Sequence, residues 1–190
     1  MKTVKRILGL LPPFFTWVMA CVLVWGYVFT CVTDAPAGKK LTLYIDAEVP
    51  GDTALATALE DAFSGRIRMA QVRPFTYAMF NGDGLKAADL FIVKASDMET
   101  YRDWFAPLPE EFWQEENIYA SEGAPLGIRV YDGKEKAGIA TGAIRYAEAV
   151  GEAEDYYLTF GALSCHNADN ENAVDGLAAE AADFLLTMGK

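Results

Sequence analysis

The chain has 190 residues, a formal net charge of −11, a single histidine and three cysteines. Its length is that of about one domain, by the prior of roughly 100–200 residues per domain. Because so acidic a chain without a basic stripe repels phosphodiester backbones, we expect no nucleic-acid partner.

The N-terminal segment has the pattern of a membrane anchor. Residues 7–32 carry no charge and follow three basic residues, Lys2, Lys5 and Arg6. The adjacent prolines Pro12 and Pro13 are expected to break a helix, which leaves 14–32 as a run close to the roughly 20 residues that span a bilayer. We predict a basic cytoplasmic tail at 1–13, a transmembrane anchor at 14–32, a linker at 33–40 and an extracytoplasmic domain at 41–190. The basic end stays inside.

A cleaved signal peptide is the alternative for this segment. Ala35-Pro36-Ala37 has the small-residue pattern of a cleavage site, and cleavage after Ala37 would release a secreted protein. The apolar run is longer than the usual signal-peptide core of about 7–15 residues, which favours the uncleaved anchor.

Strands and helices alternate in the first half of the domain. Apolar runs predict strands at 41–45, 67–72 and 89–94. A helix is predicted from Asp52 or Thr53 to Gly65, and a short helical piece at 75–80. Another helix is opened by a capping box at Ser96-Asp-Met-Glu99, with Met98, Tyr101 and Phe105 facing inward. This order implies right-handed crossovers and a parallel sheet.

The second half has a different pattern. Residues 110–124 indicate an acidic, aromatic loop or short helix, and Asp132-Gly133 between 127–131 and 136–140 predicts a β-hairpin. A strand at 156–160 precedes a long helix that Asn172 caps. The helix has an inward stripe of Val174, Leu177, Ala178, Ala181, Phe184, Leu185 and Met188. The predicted fold class is α/β: an N-terminal transmembrane helix, then one three-layer lobe with a mainly parallel sheet, a β-hairpin and a long C-terminal helix.

Three segments carry a family resemblance: KLTLYID at 40–46, ADLFIVKASDMETYRDWFAPLPEEF at 88–112 and YYLTFGALSCHNADNENAVDGLAAEAADFLL at 156–186. Together they resemble one lobe of a bacterial extracellular solute-binding protein, the substrate-binding subunit of an uptake transporter. Family members carry a second lobe where this chain runs only from Pro107 to Gly127. The resemblance implies a truncated lobe at the bacterial cell membrane that meets a small ligand, a transporter permease or another membrane protein. The alternative is a non-catalytic structural accessory subunit with no small ligand.

The candidate binding residues follow the strands, because open α/β sheets bind ligands outside the carboxyl ends of their strands. If the strand at 156–163 is parallel to the others, the residues after it join the same edge. The candidates are Asp46, Glu48, Arg73, Tyr77, Ser96, Asp97, Ser164 and His166. Arg73 is the best single anchor, since a guanidinium binds carboxylate, phosphate or sugar hydroxyl groups. Its alternative role is to neutralise Asp46 or Asp97.

The sequence predicts no catalytic centre. Cys165 and His166 are adjacent, so at a strand end their side chains point to opposite faces and cannot form a thiol–imidazole dyad. We expect a buried cysteine, a surface histidine and no enzyme activity. One histidine and one cysteine, without a metal-ligand spacing, also predict no metal site and no cofactor.

Overall fold

The computed structural model describes residues 2–47, 52–76, 86–113, 117–139, 144–146, 154–168 and 173–188, with side chains from Pro12 onward except that of Asp52. Three residues named above, Glu48, Tyr77 and Asn172, lie outside the described residues, as does most of the predicted helical piece at 75–80. The chain divides into two compact units, Met1–Pro36 and Ala37–Lys190.

The first unit is one helix, α1, from Lys2 to Thr33. It runs through Pro12 and Pro13, so the predicted helix break is wrong. Proline lacks the N–H that a helix uses, but its fixed φ is itself helical, so the turn continues on both sides. The stretch Pro12–Thr33 has a mean hydropathy of 1.9 and is long enough to cross a bilayer. It is therefore a candidate membrane span, as predicted.

The second unit contains a mixed sheet. Its strands are β1 (Lys40–Ile45), β2 (Met69–Pro74), β3 (Leu90–Lys94), β4 (Phe105–Ala106), β5 (Ile118–Ser121), β6 (Ala124–Asp132), β7 (Ala137–Gly138) and β8 (Tyr156–Gly161). Its α-helices are α2 (Asp52–Ala62), α3 (Ala95–Thr100) and α4 (Leu177–Thr187).

The strand order is β2-β1-β3-β8-β6-β5. The predicted parallel arrangement holds for β2, β1 and β3. Strand β8 runs antiparallel to β3, with Leu90 opposite Phe160 and Lys94 opposite Tyr156, and β6 runs antiparallel to β8. The sheet is therefore mixed, and the end of β8 lies at the amino edge of β1 and β3.

Both faces of the sheet are covered by apolar side chains. On one face, Leu43 and Ile92 belong to a core that α2 and α4 complete with Leu55, Leu59, Leu177, Ala181 and Leu185. On the other face, Tyr44 and Phe91 pack with Met98, Phe105 and Leu126. Each such large side chain contributes about 1.5–3 kcal/mol on burial, so the two layers hold the strand ends in fixed positions.

Two local predictions fail after β3. The capping box is wrong: α3 begins after Lys94 with no side-chain cap, and Ser96 instead points its hydroxyl to Glu154. The chain leaves helix at Thr100, and Phe105, predicted on that helix, is a buried residue of β4.

The structure contains one β-hairpin that was predicted from the sequence and one that was not. The Asp132-Gly133 turn joins β6 to β7 as predicted, with Tyr131 opposite Gly138. Strand β5 pairs with β6 through a turn at Glu122 and Gly123, whose φ angles are 50° and 84°. A glutamate at positive φ is uncommon, so this turn has a weak sequence signal.

The C-terminal helix forms close to its predicted position. Leu177, Ala178, Ala181 and Leu185 are buried as the stripe predicted. Val174 is exposed, because α4 begins only at Leu177.

Candidate functional site

The fold places the predicted site residues at two opposite edges of the sheet. Asp46, Arg73, Ser96 and Asp97 lie at or just beyond the carboxyl ends of β1, β2 and β3, as predicted. Ser164 and His166 follow β8, which is antiparallel to β3, so their assignment to the same edge is wrong. We call the first group the carboxyl edge and the second the amino edge.

The carboxyl edge brings carboxylates together beside one ammonium. Lys94 Nζ lies 3.2 Å from Asp46 Oδ2. The Asp97 carboxylate lies near both of these groups. Burial, followed by the charge of Asp46, raises the pKa of Asp97. Glu154 adds a third carboxylate, with its Oε2 at 3.4 Å from the Ser96 hydroxyl. The edge is therefore negative.

Arg73 stands apart from these groups. It lies opposite Tyr44 in the register of β1 and β2 and is partly exposed. Asp46 pairs with Lys94, and among the described residues no ion pair includes Arg73. The predicted neutralising role toward Asp46 is thus filled by a different cation.

The amino edge is a buried polar network. Asp89, at the start of β3, accepts hydrogen bonds from the Ser164 hydroxyl at 2.5 Å and from the Thr42 N–H at 2.7 Å. The Ser164 oxygen in turn accepts the His166 N–H at 2.9 Å. These bonds fasten the segment after β8 to the beginnings of β1 and β3.

His166 is fully buried, with 0% of its surface exposed, so the predicted surface position is wrong. Its Nδ1 lies 2.7 Å from Asp175 Oδ1, and its Nε2 lies 3.1 Å from the Lys40 carbonyl oxygen. Both partners are acceptors when Asp175 is ionised. Both ring nitrogens must then donate, and the imidazolium is the form that satisfies both bonds.

Asp175 joins the histidine to the last helix. Its Oδ1 also accepts the Leu177 N–H at 3.1 Å, at the first turn of α4, and Arg66 lies 3.9 Å from its Oδ2. Burial alone would raise the pKa of Asp175, but the bonds from His166 and Leu177 and the charge of Arg66 outweigh it and lower that pKa. Asp175 therefore remains ionised beside the ring.

The net pKa shift is in the opposite direction for the other two titratable groups, Asp89 and Cys165, because burial prevails there. Burial raises the pKa of Asp89, which is 2% exposed, to about 6, although the bonds from Ser164 and Thr42 oppose this rise. Burial, and then the charge of Asp89, also raises the pKa of the Cys165 thiol. The direction for Cys165 agrees with the prediction that it is not an activated nucleophile.

Three amino-edge side chains could hold a metal ion. Asp89, Cys165 and His166 each offer one ligand atom, and these atoms lie within 4.8 Å of one another. Sequence reasoning missed Asp89 because it lies 75 residues from Ser164, its hydrogen-bond partner. The only local signal was a carboxylate placed directly before an apolar strand.

A third surface lies along α4. Two shallow grooves of about 550 and 690 Å³ share Glu111, Ala179 and Glu180. Trp113 borders the larger groove and is 53% exposed, although its indole N–H donates to the Leu108 carbonyl. Trp113 belongs to the acidic, aromatic stretch 110–124 that the sequence indicates as a loop or short helix.

Comparison with known proteins yields little for this chain. No protein-family model matches it, and no curated protein matches its sequence. Thiaminase I from Bacillus thiaminolyticus is similar over 48% of this chain and 28% of that chain, with 16% sequence identity and a TM-score of 0.33. The chain thus spans less than a third of that structure, and a similarity of this size does not bear on activity.

Proposed function

We propose that this protein is a non-enzymatic binding module, held to a membrane by α1, whose carboxyl edge binds a ligand or partner group that carries positive charge. The observation that supports this most is that the carboxylates of Asp46, Asp97 and Glu154 lie together at the carboxyl edge, where Lys94 pairs with Asp46. Ligands of open α/β sheets bind at this edge.

The electrostatics of the edge favour a cation. The charges of Asp46 and Asp97 repel each other next to Lys94. An arriving ammonium or guanidinium can relieve this repulsion by donating hydrogen bonds to both carboxylates, and such charge-assisted hydrogen bonds are the stronger kind. Arg73, on the neighbouring strand β2, offers a guanidinium for a carboxylate. A zwitterion such as an amino acid or short peptide matches both groups.

The family resemblance supports the same role. One lobe of a bacterial extracellular solute-binding protein presents its strand ends to the ligand, and an uptake permease is its partner. Because this chain has no room for a second lobe between Pro107 and Gly127, we propose that the permease or another membrane protein covers the exposed edge. The C-terminal unit is then extracytoplasmic.

A thermal-shift screen of the full-length protein in detergent tests the proposal. The panel contains lysine, arginine and short basic peptides, with neutral sugars and dicarboxylates for comparison. We expect a saturable rise in melting temperature only with cationic or zwitterionic compounds. Asp97→Asn and Arg73→Ala should weaken the binding more than tenfold, whereas Asp103→Asn, at an exposed position outside the edge, should not.

Two results would contradict the proposal. A saturable shift with sugars or dicarboxylates alone would remove the charge argument. An equal shift in Asp97→Asn and the wild type would place the ligand elsewhere. If Arg73→Ala lowers the melting temperature but leaves binding intact, Arg73 is structural and is not an anchor.

A structural accessory subunit without a small ligand is the second candidate. It is favoured by the exposed Trp113 and the acidic, aromatic grooves along α4, which suit a protein partner. This candidate predicts no shift with any small compound. It also predicts that Trp113→Ala reduces the size of the complex extracted from the native membrane.

A further inference from the structure

We propose that Asp89, Cys165 and His166 form a binding site for a divalent transition-metal cation of the zinc type. The three ligand atoms lie within 4.8 Å of one another. Tetrahedral zinc holds sulfur at about 2.3 Å and nitrogen or oxygen at about 2.0–2.2 Å, which separates its ligands by about 3.3–3.8 Å. Cys165 is partly exposed, so its side chain has room to rotate when a cation binds.

The ligands are already oriented by neighbouring groups. Among the described residues, the Ser164 hydroxyl donates a hydrogen bond to Asp89 Oδ1 and the Thr42 N–H donates one to Oδ2. A carboxylate oxygen has two lone pairs, so each oxygen keeps one lone pair for a cation. The Asp175 carboxylate holds His166 Nδ1 at 2.7 Å. Metal-binding histidines are commonly fixed by a carboxylate on their other ring nitrogen in this way.

Nε2 is the ring nitrogen of His166 that is left for the cation, because Asp175 holds Nδ1. His166 Nε2 donates its proton to the Lys40 carbonyl oxygen at 3.1 Å. A bound cation replaces that proton, while Nδ1–H stays with Asp175. A second proton leaves the Cys165 thiol. The Lys40 carbonyl remains beside the site as an additional oxygen donor.

The ligand set fits the zinc type of metal in charge and in softness. A thiolate, a carboxylate and a neutral imidazole balance the two positive charges of the cation. Thiolate and imidazole favour Zn²⁺ and Co²⁺ over Mg²⁺ and Ca²⁺, which take oxygen ligands. Asp89 directly precedes β3, and the other two ligands follow β8. A bound cation therefore connects the segment after β8 to the start of β3.

A cobalt titration of the full-length protein in detergent tests this site. Cys21→Ser and Cys31→Ser in the membrane helix leave Cys165 as the only thiol. We expect one equivalent of Co²⁺ to produce a saturable thiolate-to-metal charge-transfer absorption, and Zn²⁺ to displace the Co²⁺. Zn²⁺ should also raise the melting temperature of this parent protein.

Matched variants decide which residues bind. Cys165→Ser exchanges one atom at a partly exposed position and should abolish the charge-transfer absorption. Asp175→Asn should weaken Co²⁺ binding about 10- to 100-fold, the usual effect of removing such an orienting carboxylate. Asp103→Asn should leave it unchanged. The proposal is overturned if the parent shows no saturable absorption, if Cys165→Ser retains it, or if Asp175→Asn binds as tightly as the parent.

Discussion

A close backbone approach at Gly161 gives the sharpest mutational prediction. Gly161 ends β8, and its N–H donates to the carbonyl oxygen of Asp89 at 3.0 Å. A Cβ built at Gly161 would lie 1.8 Å from the Ala88 carbonyl oxygen. An ordinary carbon–oxygen contact needs at least about 3.2 Å, so β8 would have to move by more than about 1 Å relative to the chain before β3. The neighbour is backbone and cannot rotate away.

We expect Gly161→Ala to lower the free energy of unfolding by about 3 kcal/mol or more, the upper range for overpacking. For a domain of this size that corresponds to a fall in melting temperature of roughly 6–12 °C. Near-ultraviolet circular dichroism of the full-length protein in detergent follows the aromatic packing during melting. Gly38→Ala is the matched control, because its added Cβ meets only the Val174 side chain at 3.6 Å. Equal melting temperatures for the two variants would refute the reasoning.

Three further predictions concern charge and membrane attachment. Burial and the charge of Asp46 raise the folded pKa of Asp97 above 3.8, so its contribution to stability is lost as pH rises. The melting temperature of Asp97→Asn minus that of the wild type should therefore increase from pH 4 to pH 7, and a constant difference would contradict this. Asp175→Ala should cost about 2–4 kcal/mol in urea unfolding, because it leaves His166 Nδ1 buried and unpaired and removes the acceptor of the Leu177 N–H at the start of α4. A loss below about 1 kcal/mol would show that the pair is dispensable. Intact-mass measurement of protein from its native membrane should retain residues 1–37, and a start at Gly38 would identify a cleaved signal peptide.

Local sequence pattern was sufficient for the first half of the sheet. The predicted strands 41–45, 67–72 and 89–94 correspond closely to β1, β2 and β3. The first and third are short, mainly apolar segments, and the second alternates apolar and polar residues, which are both patterns typical of strands. The same reasoning located β8 but could not determine its direction. A strand buried on both faces is apolar throughout, and its pattern is the same whether it runs parallel or antiparallel to its neighbour.

The residues of the candidate sites were also only partly predictable from the sequence. Asp46 and Asp97 could be predicted at the carboxyl edge because they follow parallel strands. Lys94 and Glu154 were missed, since their roles depend on contacts across the edge that no spacing reveals. His166 seemed a surface residue by composition alone. Its burial depends on the partners Asp175 and the Lys40 carbonyl, of which the second is 126 residues away.

The direction of β8 separates the two candidate sites and gives them different physical roles. Strand β1 has one end at each edge, from Lys40 to Ile45, so the edges are about 17 Å apart at 3.3 Å per residue. Between the edges, Leu41, Leu43 and Tyr44 are buried, and β1 pairs with β2 on one side and with β3 on the other. Groups so far apart and without shared partners contribute nearly additively. A cation at the amino edge should therefore act on the attachment of α4 and on stability, while the affinity of the carboxyl edge depends on its own carboxylates. A strand parallel to β3 would have merged the two sets of residues into one site, and the adjacent thiol and imidazole would then have lain beside the ligand.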